Sequence, residues 1–145
     1  MSFETTTHLQ VIPLFTYGST ELGSRYVDAG PGGQYIFTWS KGGTFEGPRL
    51  RGKIVVGPSN ERGRRRSDGV IVAENNIVME TDDGAEIVMK YIATAVPTAN
   101  GMRVRNFPVF ETAHPDYFWI NSVQAISYYE VVDGKVTRPQ VYQLL

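Results

Sequence analysis

Two glutamates lie in segments whose neighbouring residues favour proton-transfer chemistry. Glu46 is held in a glycine-rich segment beside Gly47-Pro48, and Glu111 directly follows Phe110. Burial in apolar surroundings raises the pKa of a carboxyl group, which suits it to general acid or base catalysis. The competing interpretation is that Glu46 pairs with a nearby arginine and Glu111 points outward, since paired surface carboxylates are common. The sequence therefore presents Glu46 and Glu111 as candidate catalytic residues.

The segment that follows Glu111 carries aromatic and amide side chains suited to binding a small molecule. If this segment is a strand, Tyr117, Trp119 and Asn121 share one face, because side chains alternate along a strand. The rings would then stack on an aromatic ligand, and the Asn121 amide would bind a carbonyl or hydroxyl group. Ordinary core packing of the aromatic residues is the competing interpretation. We predict Trp119 and Asn121 as substrate-binding residues.

Two tyrosines and one arginine complete the predicted binding site. Tyr17 and Tyr91 are expected to orient an oxygen atom of the ligand. Arg66 ends the dense basic run Arg62–Arg66 and is the member expected to reach the mouth of the site. The run lacks interleaved aromatic residues and the chain has a net charge of −1, which favours a solvated loop over a nucleic-acid contact. We therefore expect a small-molecule ligand and no nucleic-acid partner.

The residue types that are scarce in this chain exclude several kinds of chemistry. The chain has no cysteine and two histidines, His8 and His114. Disulfides, thiolate metal sites and cysteine nucleophiles are therefore excluded, and a zinc site is disfavoured. His114 is a possible base, although a single loop histidine is usually solvated. The glycines match no dinucleotide or phosphate-binding fingerprint and no activated-serine motif is present, so we expect neither a metal nor a cofactor.

Strands, rather than helices, are predicted to position these side chains. Glycine and proline recur so often that few stretches longer than about a dozen residues lack a helix breaker. Between the breakers lie about eight segments rich in β-branched and aromatic residues: Leu9–Thr16, Gln34–Trp39, Leu50–Val56, Val70–Thr81, Ala85–Val96, Met102–Phe110, Tyr117–Val132 and Lys135–Leu144. The chain is therefore predicted to be all-β.

Two Asp-Gly pairs, Asp83-Gly84 and Asp133-Gly134, predict hairpin turns, because Asp-Gly adopts the positive φ angles of a type I′ turn. With a two-residue loop at Asp83-Gly84, Val78 faces Met89, and both faces of the ribbon mix polar and apolar residues. Mixed faces suit a barrel with a partly polar interior. About eight strands close around room for one small ligand and leave no free edges. We predict a single closed antiparallel β-barrel of about eight or more strands with a central cavity.

The 145 residues are predicted to form one domain. Residues 1–8 are expected to be a flexible N-terminal segment, and residues 9–145 the barrel domain. No apolar run approaches the roughly 18 residues of a membrane helix, and the first residues lack the parts of a secretory signal. We expect a soluble, cytoplasmic protein with no membrane contact.

Five segments, taken in order, carry a resemblance to a known family. They are Gly42–Gly52, Arg66–Gly69, Glu80–Gly84, Phe107–Thr112 and Tyr117–Asn121. In this order and spacing the chain, from Leu9 onward, resembles the small β-barrel proteins of the domain of unknown function family 3237. The resemblance implies a closed antiparallel barrel with a central cavity, often assembled as an oligomer, and it implies no settled activity.

The chain departs from the pattern of that family in two places. Gly57–Glu61 lacks an aspartate and a tryptophan that the family usually has, and Glu74 and Asn76 stand where it usually has an aspartate and an arginine. If these positions line the pocket, the cavity of this protein is less charged than is usual and its substrate is specialised.

Two main classes of function fit these expectations. The first is a cofactor-independent isomerase, cyclase or lyase that uses carboxylate acid–base chemistry on an aromatic or polyketide-like substrate. The second is a non-catalytic ligand carrier of the lipocalin kind. A filled barrel that serves as an oligomeric scaffold is a third. We also predict a homo-oligomer, because the last strands carry more apolar surface than one inward face can hide.

Overall fold

The described part of the chain consists mainly of β-strands. The computed structural model describes residues 8–19 and 22–145. Its strands are β1 Val11–Ser19, β2 Leu22–Asp28, β3 Gln34–Ser40, β4 Gly43–Glu46, β5 Arg51–Ile54, β6 Asn60–Arg65, β7 Ile71–Thr81, β8 Glu86–Thr98, β9 Gly101–Asn106, β10 Val109–Glu111, β11 Ala125–Val132, β12 Lys135–Val136 and β13 Gln140–Leu144. The 3₁₀ helices Gly30–Gly32 and Pro115–Ser122 accompany them. Of the flexible segment expected at residues 1–8, residues 1–7 lie outside the described residues. No helix within the described ranges has the length and apolar character needed to cross a membrane.

Eight of the strands close into one antiparallel barrel, which confirms the predicted fold class. Their order around the ring is β1-β4-β5-β7-β8-β9-β11-β13, and β13 pairs with β1 to complete it. β7 joins the two halves, because β5 pairs with its C-terminal end and β8 pairs along most of its length. Closure leaves the ring without a free edge.

Of the five strands outside the ring, three continue the sheet from β7, whereas β10 pairs with β8 and β12 pairs with β11. β6 pairs with the first half of β7, β3 pairs with β6, and β2 pairs with β3. We call β2, β3 and β6 the flap sheet. The sequence did not predict β2, β4 or β6 as strands. For β6 the reason is its composition, because it contains no β-branched or aromatic residue. Pairing with neighbouring strands outweighs local composition here.

The register between β7 and β8 differs by one residue from the expected register. The Thr81 amide donates to the Ala85 carbonyl at 2.9 Å, so the turn has three loop residues instead of two. Val78 therefore pairs with Val88 and not with Met89. A shift of one residue moves every side chain of a strand to the other face. The expectation of two mixed faces is wrong, and one inward face holds the apolar residues Ile77, Met79, Ile87 and Met89.

The second predicted hairpin has the expected geometry. Asp133 and Gly134 have φ angles of 50° and 76°, and Val132 pairs with Lys135 across them. Both loop residues are in the left-handed region that a type I′ turn requires. The two-residue loop at Asp133-Gly134 is therefore confirmed.

One end of the barrel is filled by side chains. The ring of Phe15 lies with its centroid 6.0 Å from that of Phe45 and 5.9 Å from that of Phe110, in edge-to-face geometry. Ile120 of the 3₁₀ helix Pro115–Ser122 is fully buried against this core. We call this the closed end of the barrel. The opposite end, beside the flap sheet, is the open end.

Candidate ligand cavity

The open end of the barrel contains a cavity of about 490 Å³. This volume lies within the range of small-molecule sites. The cavity is lined by side chains of the barrel strands, the flap sheet and residues 136–139. The described residues that line it include one carboxylate, Glu61, and one guanidinium, Arg138. The cavity is therefore suited to a largely uncharged organic molecule.

Two buried tyrosines meet across the interior of the barrel. The Tyr17 and Tyr91 hydroxyl oxygens are 3.0 Å apart, and the two residues are 6% and 8% exposed. Burial raises the pKa of both phenols, and it also raises the pKa of Tyr129 in the same cavity wall. All three phenols stay protonated at physiological pH. Within the pair one hydroxyl donates to the other, which leaves the second O–H free to donate to a ligand oxygen.

Glu61 is the carboxyl group of the cavity. It lies on β6, with Asn75 of β7 on one side and Thr38 of β3 on the other. The Asn75 side-chain amide donates to the Glu61 Oε2 atom at 2.7 Å. Burial raises the pKa of Glu61, and the hydrogen bond from Asn75 offsets part of that shift. A carboxyl group with a raised pKa exchanges protons closer to neutral pH than an exposed one.

Glu61 and the tyrosines are close enough to interact electrostatically. The negative charge of Glu61 adds to the effect of burial in raising the pKa of Tyr17, Tyr91 and Tyr129. The cavity thus combines a proton-exchanging carboxyl group with neutral hydroxyl donors. This combination can remove a proton next to a carbonyl group while a phenol binds the carbonyl oxygen.

The rim of the cavity is formed by apolar and small polar side chains. Ser19 and Ser40 share a hydrogen bond of 2.9 Å between their hydroxyl oxygens. Trp39, which is 43% exposed, contributes an aromatic ring. The Arg138 Nε atom donates to the Thr16 hydroxyl at 2.9 Å, which directs this cation toward β1. An aromatic or aliphatic ligand surface can contact this rim.

The sequence identifies two of the cavity residues and misses the carboxylate. Tyr17 and Tyr91, predicted to bind a substrate, line the cavity together. The sequence includes Glu61 only in the segment Gly57–Glu61, where the chain departs from the family pattern, and gives it no catalytic role. Only the pairing of β6 with β3 and β7 turns its side chain inward. No local signal in the sequence distinguishes it from a surface glutamate.

The two predicted catalytic glutamates do not line this cavity. Glu46 is exposed at the end of β4, opposite Arg51 in the register. Glu111 is exposed on β10, and its Oε2 atom accepts from the Lys90 Nζ atom at 3.0 Å. The exposure of Glu111 agrees with its competing interpretation. The pairing of Glu46 with a nearby arginine stays a prediction, and Arg51 forms its ion pair with Asp82. The structure gives their catalytic role no geometric support.

The segment that carries Trp119 and Asn121 is a 3₁₀ helix, so the expectation of a strand with one shared face is wrong. Pro115 stands in the first turn of this helix, where the missing amide hydrogen is tolerated. The Arg49 guanidinium lies 3.5 Å from the Trp119 ring centroid. The Asn121 side chain accepts from the Thr112 amide at 2.7 Å and donates to the Thr112 carbonyl at 3.0 Å. Both residues therefore lie at the closed end, away from the cavity.

Arg66 is also placed outside the cavity. It is exposed and forms an ion pair with Asp68. It lines a separate open groove together with the glycine-rich segment 30–33. Substrate binding by Arg66, Trp119 and Asn121 stays a prediction that their positions do not support.

A metal site is not evident in the part of the chain that the structure describes. Within residues 8–19 and 22–145, no three histidine, aspartate or glutamate side chains are grouped so that they could hold a metal ion.

Comparison with known proteins supplies a family and a set of similar folds. The model of the family described as protein of unknown function (DUF3237) matches residues 9–144. A β-barrel-like protein of Acinetobacter baumannii AYE is 22% identical with a TM-score of 0.81, over 97% of this chain and 99% of that one. A protein with unknown function from Clostridium acetobutylicum ATCC 824 is 18% identical with a TM-score of 0.83, over 95% and 100% of the two chains. An enzyme from Penicillium herquei is 20% identical with a TM-score of 0.74, over 99% and 100%. Comparison with curated proteins gave no match.

Proposed function

The chain belongs to the DUF3237 family of proteins of unknown function, and from this premise we propose that its cavity binds an aromatic or polyketide-like molecule on which Glu61 moves a proton. The reaction is that of a cofactor-independent isomerase, cyclase or lyase. The observation that carries the proposal is the presence, in one cavity, of a carboxyl group with a raised pKa and a hydrogen-bonded pair of buried phenols.

The proposed step begins with a carbonyl oxygen of the ligand at the tyrosine pair. The free O–H of Tyr17 or Tyr91 donates to that oxygen. The Glu61 carboxylate takes a proton from the neighbouring carbon, and the electron pair of the broken C–H bond forms an enolate whose oxygen the phenol stabilises. Return of the proton to another carbon completes an isomerisation. Attack of the enolate on a second group of the same molecule, or expulsion of a leaving group, gives a cyclase or a lyase.

Asn75 has a positioning role in this proposal. Its amide holds one oxygen of Glu61 at 2.7 Å and leaves the other oxygen available to the ligand. The same hydrogen bond limits the rise of the Glu61 pKa, because it stabilises the carboxylate form that accepts the proton. The similar fold of a Penicillium herquei protein whose description calls it an enzyme agrees with a catalytic role.

A non-catalytic ligand carrier is the second candidate. The observation that favours it is that the polar groups of the cavity already have protein partners, Asn75 for Glu61 and Tyr91 for Tyr17. A cavity of this kind can hold an aromatic molecule by contact with its walls and one hydrogen bond. In a carrier, binding occurs and no proton is exchanged with the ligand.

The experiment that separates the two candidates follows hydrogen exchange on an enolisable aromatic ketone. 2-Tetralone is incubated in D₂O with the full chain, and loss of its α-proton signals is measured by NMR. Glu61→Gln is expected to reduce the protein-dependent exchange rate by roughly 10²-fold or more, because glutamine keeps the size of the side chain but cannot accept the proton.

Glu46→Gln and Glu111→Gln are the matched controls, since both glutamates are exposed outside the cavity. They are expected to retain the exchange rate of the unaltered protein. Equal rates for Glu61→Gln and the unaltered protein contradict the proposed role of Glu61. Saturable binding of 2-tetralone without exchange favours the carrier.

We also propose that the chain forms a homo-oligomer. On the outer face of the barrel, Ile92, Phe107 and Val109 are 59%, 69% and 47% exposed and border the same groove. Apolar side chains grouped in this way are typical of a contact surface. Light scattering at micromolar concentration is expected to give a multiple of 16.2 kDa. A mass equal to that of one chain contradicts this proposal.

A further inference from the structure

A pair of buried polar side chains lies on the inner face of the barrel and belongs to no site described above. Asn106 of β9 faces Ser127 of β11 in the strand register. The two residues are 1% and 3% exposed. The Asn106 Nδ2 and Oδ1 atoms and the Ser127 Oγ atom have no hydrogen-bond partner among the described residues. Neither residue lines the cavity at the open end.

The surroundings of this pair are apolar and cannot satisfy it. Asn106 faces Ala93 on its other side, and Ser127 faces Val141. Both neighbours are buried. An amide or hydroxyl group that leaves water without gaining a hydrogen bond costs free energy, and such groups in native proteins usually bind ordered water.

The residues beside the pair in the same row of the sheet have small apolar side chains. Across the sheet from Asn106 come Ala93 of β8, Ala73 of β7 and Gly63 of β6. Their side chains are a methyl group or a hydrogen atom, so none of them offers the amide a hydrogen-bond partner. An internal water molecule needs two or more polar partners, and the side chains of Asn106 and Ser127 supply them.

We propose that Asn106 and Ser127 bind an internal water molecule between them. In one orientation of the amide the water donates to the Asn106 Oδ1 atom and accepts from the Ser127 hydroxyl. In the other it accepts from the Nδ2 atom and donates to the Ser127 oxygen. Ser127 lies two residues before Tyr129, and Ala93 lies two residues after Tyr91, so the water lies beside the tyrosines of the cavity. The site is independent of the proposed function.

A crystal structure of the full chain, at a resolution that shows ordered water, tests the proposal directly. We expect a water molecule at about 2.7–3.2 Å from an Asn106 side-chain atom and from the Ser127 Oγ atom. It should be present both without ligand and after soaking with 2-tetralone. A direct hydrogen bond between Asn106 and Ser127 with no water at the site overturns the proposal.

The melting temperature of Asn106→Leu supplies a second measurement in solution. If water satisfies the amide, leucine displaces that water and removes its bond to Ser127, so the melting temperature should stay the same or fall. If the amide is dry and unpaired, leucine removes the free-energy cost of burying it. A rise in melting temperature of about 2–4 °C is then expected for a chain of this size. Such a rise overturns the proposal.

Ser59→Ala is the matched control for this measurement. Ser59 is a buried serine whose hydroxyl accepts from the Val78 amide at 3.1 Å. Its replacement by alanine leaves that amide without its partner and should lower the melting temperature. This control shows that the measurement detects the loss of one buried hydrogen bond.

Discussion

The two ends of the barrel differ in what their polar side chains are bonded to. At the closed end, the Tyr117 hydroxyl donates to both carboxylate oxygens of Asp83, at 2.8 and 2.9 Å, and the Asn121 amide bonds to both backbone groups of Thr112. At the open end, Glu61 has a raised pKa and faces a cavity. Polar groups join segments of the chain at both ends, but only at the open end do they also line a cavity that a ligand can enter.

The segments that carry the family resemblance and the residues of the candidate site lie in different parts of the molecule. The segments Glu80–Gly84, Phe107–Thr112 and Tyr117–Asn121 carry the family resemblance, and they meet at the closed end. The cavity carboxylate Glu61 and its partner Asn75 lie outside all of the segments that carry the resemblance. Three of the five segments that carry the resemblance are therefore bonded to one another at the closed end, and none of the five supplies a residue that lines the cavity.

The largest expected effect is the loss of stability when a buried side chain at the closed end is removed. Ile120→Ala removes a fully buried side chain and is expected to lower the free energy of unfolding by about 2–5 kcal/mol. Val136→Ala at the rim of the cavity is the control, because Val136 is 53% exposed and should cost about 0.5 kcal/mol or less. Chemical denaturation measures both. A cost for Ile120→Ala as small as that of the control contradicts the role given to the closed end.

A smaller effect is expected from the ionisation of Glu61. Burial raises its folded-state pKa, so the folded state binds this proton more tightly than the unfolded state. The stability that this contributes is fully present below the unfolded-state pKa and is lost as the pH rises through the folded-state pKa.

Glu61→Gln removes this titration. The stability of the variant should therefore depend less on pH between the unfolded-state and the folded-state pKa of Glu61. The expected result is that the melting temperature of the unaltered protein falls relative to Glu61→Gln as the pH rises. Glu46→Gln, which alters an exposed carboxylate, is the control and should follow the unaltered protein. Parallel melting curves for Glu61→Gln and the unaltered protein are inconsistent with a raised pKa.

The smallest expected effect is optical and distinguishes the two tryptophans. Trp39 lines the cavity at the open end, whereas Trp119 lies beneath Arg49 at the closed end. An aromatic ligand in the cavity should change the fluorescence of Trp39 alone. Titration with 2-tetralone is expected to give a signal in Trp119→Phe and none in Trp39→Phe. The reverse pattern places the ligand at the closed end and supports the original expectation for Trp119.

The barrel itself could be predicted from the sequence because helix breakers and strand-forming segments recur along the whole chain. Breakers at short intervals exclude long helices, and β-branched and aromatic segments between them favour strands. The turn at Asp133-Gly134 was predictable for the same reason, since two residues determine its φ angles. The turn after Thr81 was not, because Asp-Gly also fits a three-residue loop, and the pairing of β7 with β8 decides between the two.

The candidate site depended on contacts that the sequence does not display. Tyr17 and Tyr91 were identified as ligand-binding candidates by residue type, but their mutual hydrogen bond joins positions 74 residues apart. Glu61 was overlooked because its environment comes from β3 and β7, and not from the arginines beside it in the chain.

The amino-acid sequence by itself determined the all-β class and the pool of residues from which a site is built. Tertiary structure alone decided that Glu61 is half-buried in the cavity and that Glu46 and Glu111 are exposed. The physical reason is that the pKa of a side chain depends on its neighbours in space, and closure of the barrel brings those neighbours from distant parts of the chain.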